Sequence, residues 1–334
     1  MARQRLSSTT AALCVAAAML AGCGGSQPSI GTPGAMQQSQ AIATRASRGG
    51  SWMAVGLEQR DLLYVVSNGR VDVYRYWQRK HVGVLMNFSE PLDACADHAG
   101  DVYIVDGARE IIYEYAHGGK TPFKMLNDSP YEPYACSVDS DGDLAVANNG
   151  YPYYEPGNLA IYHNGSGKPL LLQGNGSRGD EFTGCAYDDT GDLLAMTKYD
   201  VSSEFRYEFY YLPRTGTKLR LISLPDLGRY NAIQGVTWDG EYWVVGPITD
   251  QLNLYSINKT AHYVSAVTLP EGSLSGSVAI YRKNFASRGT QVVEGVNDFY
   301  PEDSVVYWDY PAGGNPLGSF VDFSEALAIS LGRR

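Results

Sequence analysis

Charged side chains are scarce in this chain. Asp, Glu, Lys and Arg make up 19% of its 334 residues, and the 26 Lys and Arg are outnumbered by 36 Asp and Glu, for a formal net charge of −10. An acidic body with no basic patch repels phosphate, which argues against DNA or RNA as a partner. The terminal pair Arg333–Arg334 is too small to count as such a patch. Recognisable catalytic motifs are also missing: there is no G-x-S-x-G elbow, no H-E-x-x-H, no P-loop and no Rossmann glycine pattern. The five histidines (His81, His98, His117, His163 and His262) show no ligand spacing and read as solvated residues of outer strands and turns. Cysteines are few. Cys95, Cys136 and Cys185 recur at one position of successive repeats, and three cannot all pair with one another. They read as small buried hydrophobes rather than as disulfides or a metal site.

What the chain has in quantity is tyrosine, with 25 copies, and glycine, with 37. Aromatic and β-branched residues punctuated by glycine suit many short strands joined by tight turns. The stretch Tyr134–Gly167 reads as an apolar run, an acidic Gly turn, a second run, an insertion, a third run and a Gly-rich turn. Leu92–Gly119, Thr183–Gly216 and Ile233–Ala261 repeat that order. The Gly-Asp step marks the period at Asp61, Asp101, Asp143, Asp192 and Glu241, with a weaker sixth near Thr290, in steps of 40, 42, 49, 49 and 49 residues. A strand-built repeat of that length signals a radial array. Six copies of four strands predict an all-β fold, a six-bladed β-propeller of four-stranded antiparallel blades. The first copy lacks an innermost strand, and Ser324–Arg334 (SEALAISLGRR) matches it in register. The C-terminal strand is therefore expected to close the ring and remove its open edges.

The N-terminus has its own pattern. Arg3 and Arg5 precede the apolar run Ala11–Ala21, then small residues, as in a secretory signal. The apolar run is too short to span a bilayer. Loss of this leader removes two positive charges and takes the net charge from −10 to −12. Leu20-Ala21-Gly22-Cys23 resembles the bacterial lipobox, which implies lipidation (palmitate among the acyl chains) at Cys23 and an anchor that holds without spanning. Residues 1–22 are then the lipoprotein signal peptide, 23–50 a flexible tether rich in Ser, Gln, Gly, Ala and Pro, and 51–334 the propeller.

Tyr131-Glu132-Pro133-Tyr134-Ala135-Cys136-Ser137-Val138-Asp139, followed by Gly142-Asp143-Leu144-Ala145-Val146-Ala147-Asn148, resembles the repeat of NHL-type six-bladed propellers. The resemblance covers about residues 55–334, with divergent fifth and sixth blades. It implies the fold; that family includes both binding modules and enzymes, so function must come from the site.

Three features are candidates for that site. The turns Asp139–Asp143 and Asp188–Asp192 have calcium-loop character, but the first has Leu144 and Gly150 where an EF-hand needs its sixth-position Gly and twelfth-position Glu, so they read as strand turns. Glu90, Glu132, Glu181 and Glu325, with Asn231 in a fifth blade, mark the start of the inner strand and should converge on one mouth of the central channel. Such a ring suits a divalent cation or a cationic ligand, and equally suits solvated turns. Gluconolactonase-type propellers place a metal at such a mouth; this chain is similar only in its Glu and Asn character, with no evident Asp partner. Insertions between second and third strands bring Tyr151, Tyr153, Tyr154, Tyr199, Phe205, Tyr207, Phe299 and Tyr300 to the same face, suiting a protein, peptide or carbohydrate ligand. The expectation is an extracytoplasmic, lipid-anchored monomer with a non-catalytic binding or scaffold domain. The alternative is a metal-dependent lactonase or hydrolase using the same carboxylates.

Overall fold

A computed structural model describes residues 50–150, 156–174, 181–201, 204–225, 227, 233–248, 250–270, 277–284, 287–296, 304–321 and 324–333. In chain order the strands are β1 (Trp52–Met53), β2 (Leu62–Ser67), β3 (Arg70–Arg75) and β4 (Lys80–Met86). Next come β5 (Pro91–Ala96), β6 (Val102–Asp106), β7 (Ile111–Tyr115) and β8 (Lys124–Asn127). Then follow β9 (Glu132–Val138), β10 (Leu144–Asn149), β11 (Asn158–Tyr162) and β12 (Leu170–Leu172). The fourth group is β13 (Glu181–Tyr187), β14 (Leu193–Val201), β15 (Glu204–Leu212) and β16 (Arg220–Ile222). The fifth is β17 (Val236–Trp238), β18 (Trp243–Ile248), β19 (Gln251–Asn258) and β20 (Thr260–Thr268). The last is β21 (Val278–Tyr281), β22 (Gln291–Val296), β23 (Ser304–Asp309), β24 (Gly318–Val321) and β25 (Ala326–Ser330).

These strands form six antiparallel sheets, and the chain is a six-bladed β-propeller. Blades two to six are four-stranded meanders. In blade one, β25 pairs with β2 from Leu62↔Ser330 to Val66↔Ala326, so the C-terminal strand is the innermost strand of the first blade, as expected. The short β1 adds a fifth, outermost strand through Trp52↔Val84, which the repeat pattern did not announce.

The second strand of each blade explains why the blades stack. LLYVVS of β2 is buried along its whole length. Successive side chains point to opposite faces, so Leu62, Tyr64 and Val66 pack toward blade two while Leu63 and Val65 pack toward blade six. The same alternation gives six hydrophobic clusters among the described residues, one for each pair of neighbouring blades. No blade buries both faces alone; the ring does.

The acidic Gly turns are self-sufficient structures. The Asp97 carboxylate accepts from the N–H groups of Ala99 and Asp101, Asp139 from those of Asp141 and Asp143, and Asp188 from those of Thr190 and Asp192. Gly100 sits at φ +88°, Gly142 at +85° and Gly191 at +84°, a region a Cβ disfavours. The second acid of each turn then caps the next hairpin: Asp143 accepts from the Asn164 N–H and Asp192 from the Arg214 N–H.

Two expectations are corrected. Cys95 and Cys136 form a disulfide between the inner strands of blades two and three, with Cα atoms 5.8 Å apart. Inner strands are at their closest beside the axis, and the alanines around them (Ala94, Ala96, Ala135) let the backbones approach. Among the described residues Cys185 is the one free cysteine, a buried thiol as read. Nor is His117 a solvated histidine. It is 8% exposed, with Nε2 donating to the Arg60 carbonyl at 2.9 Å and Nδ1 paired to the Ser330 hydroxyl at 2.5 Å. It fastens β25 to the second blade.

Candidate functional site: the central channel and its acidic mouth

All six inner strands run in the same sense around the axis, so whatever precedes them gathers at one mouth. Glu132 opens β9 and Glu181 opens β13; Glu90 lies just before β5 and Glu325 just before β25. The Glu90 backbone is fixed by the buried Asp106 carboxylate, which accepts from the Ser89 and Glu90 N–H groups at 2.9 Å each. Glu325 is fixed by donation from its N–H to the Val66 carbonyl at 2.8 Å. Two of the four, Glu132 and Glu325, feel the charge of their neighbours. Burial, then the charges of Glu90 and Glu181, hold Glu132 above the usual carboxylate range. Burial, then Glu90, does the same to Glu325. None of the four forms an ion pair among the described residues. Asn231 lies outside the described residues, as do Cys23, Tyr151, Tyr153, Tyr154, Phe299 and Tyr300.

Behind the mouth lies a channel of about 470 Å³. Its wall is built mainly from the inner strands and, among the described residues, contains no Lys, Arg or His. Two residues after the glutamate, the inner strands of three blades carry a β-bulge, at Leu92, Tyr134 and Thr183. A bulge leaves one residue out of the ladder and re-aims its side chain. Tyr134 stays 37% exposed in the channel. Burial and the charges of Asp93, Glu181, Glu132 and Glu325 hold its hydroxyl above the ordinary phenol value. Thr183 also lines the channel; its hydroxyl has no hydrogen-bond partner among the described residues although the residue is only 9% exposed.

Asp93 is the acid that sequence reasoning missed. It lies in the channel wall, accepts from the Cys136 N–H at 2.8 Å, and is pushed up to about 7 by burial, against the opposing pull of the Cys136 and Ala94 N–H groups. A signal existed. The position two residues before each aligned cysteine reads Asp93, Tyr134 and Thr183, polar in three blades where the cysteine itself is apolar.

Of the aromatic insertions, the structure describes one. Tyr199–Tyr207 is a hairpin rather than an irregular loop: β14 and β15, nine residues each, continue past the Glu181↔Lys198 pair with Tyr199↔Arg206 and Asp200↔Phe205. The alternation Tyr199, Phe205, Tyr207 with polar partners is a strand pattern, which the run of polar residues obscured. Tyr207 packs against the core between blades four and five, and Tyr199 is half-buried. Phe205 is 44% exposed, with the Lys198 ammonium 4.0 Å from its ring centroid.

The far mouth differs in kind. Arg282, just past β21, makes a two-pronged ion pair with Asp189, just past β13, at 2.9 and 2.7 Å. These residues belong to blades six and four, so the pair bridges the inner ends of non-adjacent blades. Among the described residues no cluster of three or more His, Cys, Asp or Glu side chains is arranged to hold a metal ion.

No family model matches the chain, and no curated protein matches it either. Among solved structures, it is similar to a protein of unknown function from Bacteroides caccae, with a TM-score of 0.58 and 13% identity over 81% of this chain and 99% of that one. A structure of a nidogen/laminin complex gives 0.57 and 14%, over 82% and 100%. Hydrazine synthase from Kuenenia stuttgartiensis gives 0.52 and 13%, over 78% and 76%. At such identities the likeness concerns the fold alone.

Proposed function

We propose that this protein is a lipid-anchored, extracytoplasmic lipoprotein whose propeller, built of NHL-type repeats, is a non-catalytic binding or scaffold domain. Its ligand meets the acidic mouth. One observation carries this reading: four carboxylates that form no ion pair among the described residues stand at the opening of a roomy channel, while the Arg282–Asp189 pair bridges its far end. Structural acids elsewhere in the ring are occupied by backbone N–H groups, tyrosines or arginines. The mouth glutamates are not, among the described residues, and unpaired charge in a concave site concentrates field on whatever approaches. Anchoring rests on the leader and on Cys23.

The test of the site is a thermal-shift and calorimetric screen of cationic, neutral and anionic small molecules, sugars and short peptides, run on the wild type and on the Glu132→Gln/Glu181→Gln double variant. A ligand that stabilises the wild type and loses most of that effect in the variant is the expected result. Ligands that bind both equally would move the site elsewhere. For the anchor, Cys23→Ala should shift the protein from the membrane pellet to the soluble extracytoplasmic fraction; retention in the pellet would remove the lipoprotein reading.

A further inference from the structure

We infer that the channel is a receptor for an organic ammonium group, held between the Asp93 carboxylate, the ring of Tyr134 and the acidic mouth, with the Thr183 hydroxyl as an additional acceptor. This deepens the reading above and rests on it.

The sign of the ligand follows from the wall. Asp93 sits in the channel, Glu325 lines it, and Glu90, Glu132 and Glu181 stand over its opening, with no cationic side chain among the described lining residues to answer them. A ligand that enters must bring positive charge or force these groups to stay protonated.

The type of cation follows from the spacing. A calcium ion collects six to eight oxygens at about 2.3–2.6 Å, and magnesium requires a tight octahedron. The charge of Glu90 reaches both Glu132 and Glu325, yet the carboxylates gather into no three-ligand cluster among the described residues. An ammonium with its charge spread over attached carbons needs no such shell. It needs one carboxylate at contact, diffuse negative charge around it and an aromatic face. Tyr134 supplies that face: its ring remains 37% exposed, and Asp93 heads the charges it feels.

Thr183 is the independent observation. A hydroxyl 91% buried yet without a partner among the described residues is costly to leave so, and it faces the channel from the bulge of β13, two residues beyond Glu181. It can accept from an N–H donor placed in the channel. The space, about 470 Å³, falls within the range of small-molecule sites and holds an alkyl chain behind the ammonium against Leu92, Val278 and Leu327.

The experiment is isothermal titration of the full chain in detergent with n-butylammonium chloride, tetramethylammonium chloride, calcium chloride and zinc chloride, with sodium chloride as the ionic-strength control. Butylammonium is expected to bind one site per chain. Asp93→Asn should weaken it by roughly tenfold or more, the scale of a lost charge-assisted hydrogen bond, and Tyr134→Leu by several-fold. Thr183→Val, nearly isosteric, should weaken butylammonium more than tetramethylammonium, which has no N–H to donate. Glu58→Gln, on an exposed turn outside the channel, should change nothing. If Asp93→Asn fails to fold, the Tyr134 and Thr183 variants carry the test. Absence of saturable ammonium binding, binding indifferent to all three substitutions, or displacement of the amine by stoichiometric calcium or zinc would overturn the inference. If sugars or peptides still depend on Glu132 and Glu181 while ammonium does not bind, the inference falls and the binding reading stands. If nothing depends on those glutamates, both fall.

Discussion

Tyrosine and aspartate carry most of the polar connections between blades. Tyr162 donates to Asp128 and Tyr310 to Asp239, the latter at 2.7 Å, and Tyr281 donates to Asp61 at 3.0 Å, each across a blade boundary. A ring with a hydroxyl tip packs in the apolar cluster and still satisfies a buried carboxylate, which accounts for the heavy use of this residue. Among the described residues Asp93 has no tyrosine donor and accepts instead from the Cys136 N–H. Its carboxyl, ordinarily near 3.8, stands at about 7 in the fold, raised by burial; Tyr134 and Cys185 are the titratable groups that respond to its charge. Because the folded state holds this proton more tightly than the unfolded chain, stability is fullest below about pH 4 and falls as pH rises through 7. Asp128, raised to about 6, and Glu132 act in the same direction, so the ligand-free protein should lose stability across that window. Urea denaturation at pH 5 and pH 8 checks this, with Asp93→Asn expected to flatten the difference. An unchanged pH dependence in the variant would mean that Asp93 does not titrate as described.

At the scale of elements, the Gly-Asp ruler located each second strand, because its acids cap turns and its apolar run is buried on both faces. The inner strands were less legible. Their bulges at Tyr134 and Thr183 shift the register by one residue, and an alternating pattern with one residue added does not reveal which side chain turns into the channel. The Cys95–Cys136 disulfide was hidden for a related reason. The three cysteines are equivalent in the repeat, and only the local approach of two inner strands distinguishes the bonded pair from Cys185. β25 was legible because SEALAI matches the start of other inner strands. It is held by five ladder pairs to β2, by the His117–Ser330 contact and by donation from the Ser330 hydroxyl to the Gly100 carbonyl at 2.6 Å. Deleting Glu325–Arg334 should therefore abolish the folded far-ultraviolet spectrum of the whole domain. Ser330→Ala should cost about 1–3 kcal/mol in urea, the range for stranding a buried polar partner. A truncated chain that keeps a cooperative transition would show that closure by β25 is dispensable.

For the whole molecule, the six inter-blade clusters and the closing strand make stability a property of the ring rather than of any blade. The sequence by itself determined the period, the number of blades, the antiparallel meander within each and the source of the missing strand. These depend on alternation and turn chemistry, which are local and repeat. It also placed Glu90, Glu132, Glu181 and Glu325 at equivalent points, so their meeting at one mouth could be anticipated from topology. Only the tertiary structure decided which acids form no ion pair among the described residues, which two cysteines pair, that His117 is a buried fastener, and that Arg282 of blade six reaches Asp189 of blade four across the far mouth. Those outcomes depend on distances between residues 41 to 213 positions apart in the chain, set by how the blades lean on one another around the axis; no pattern within a single repeat contains them.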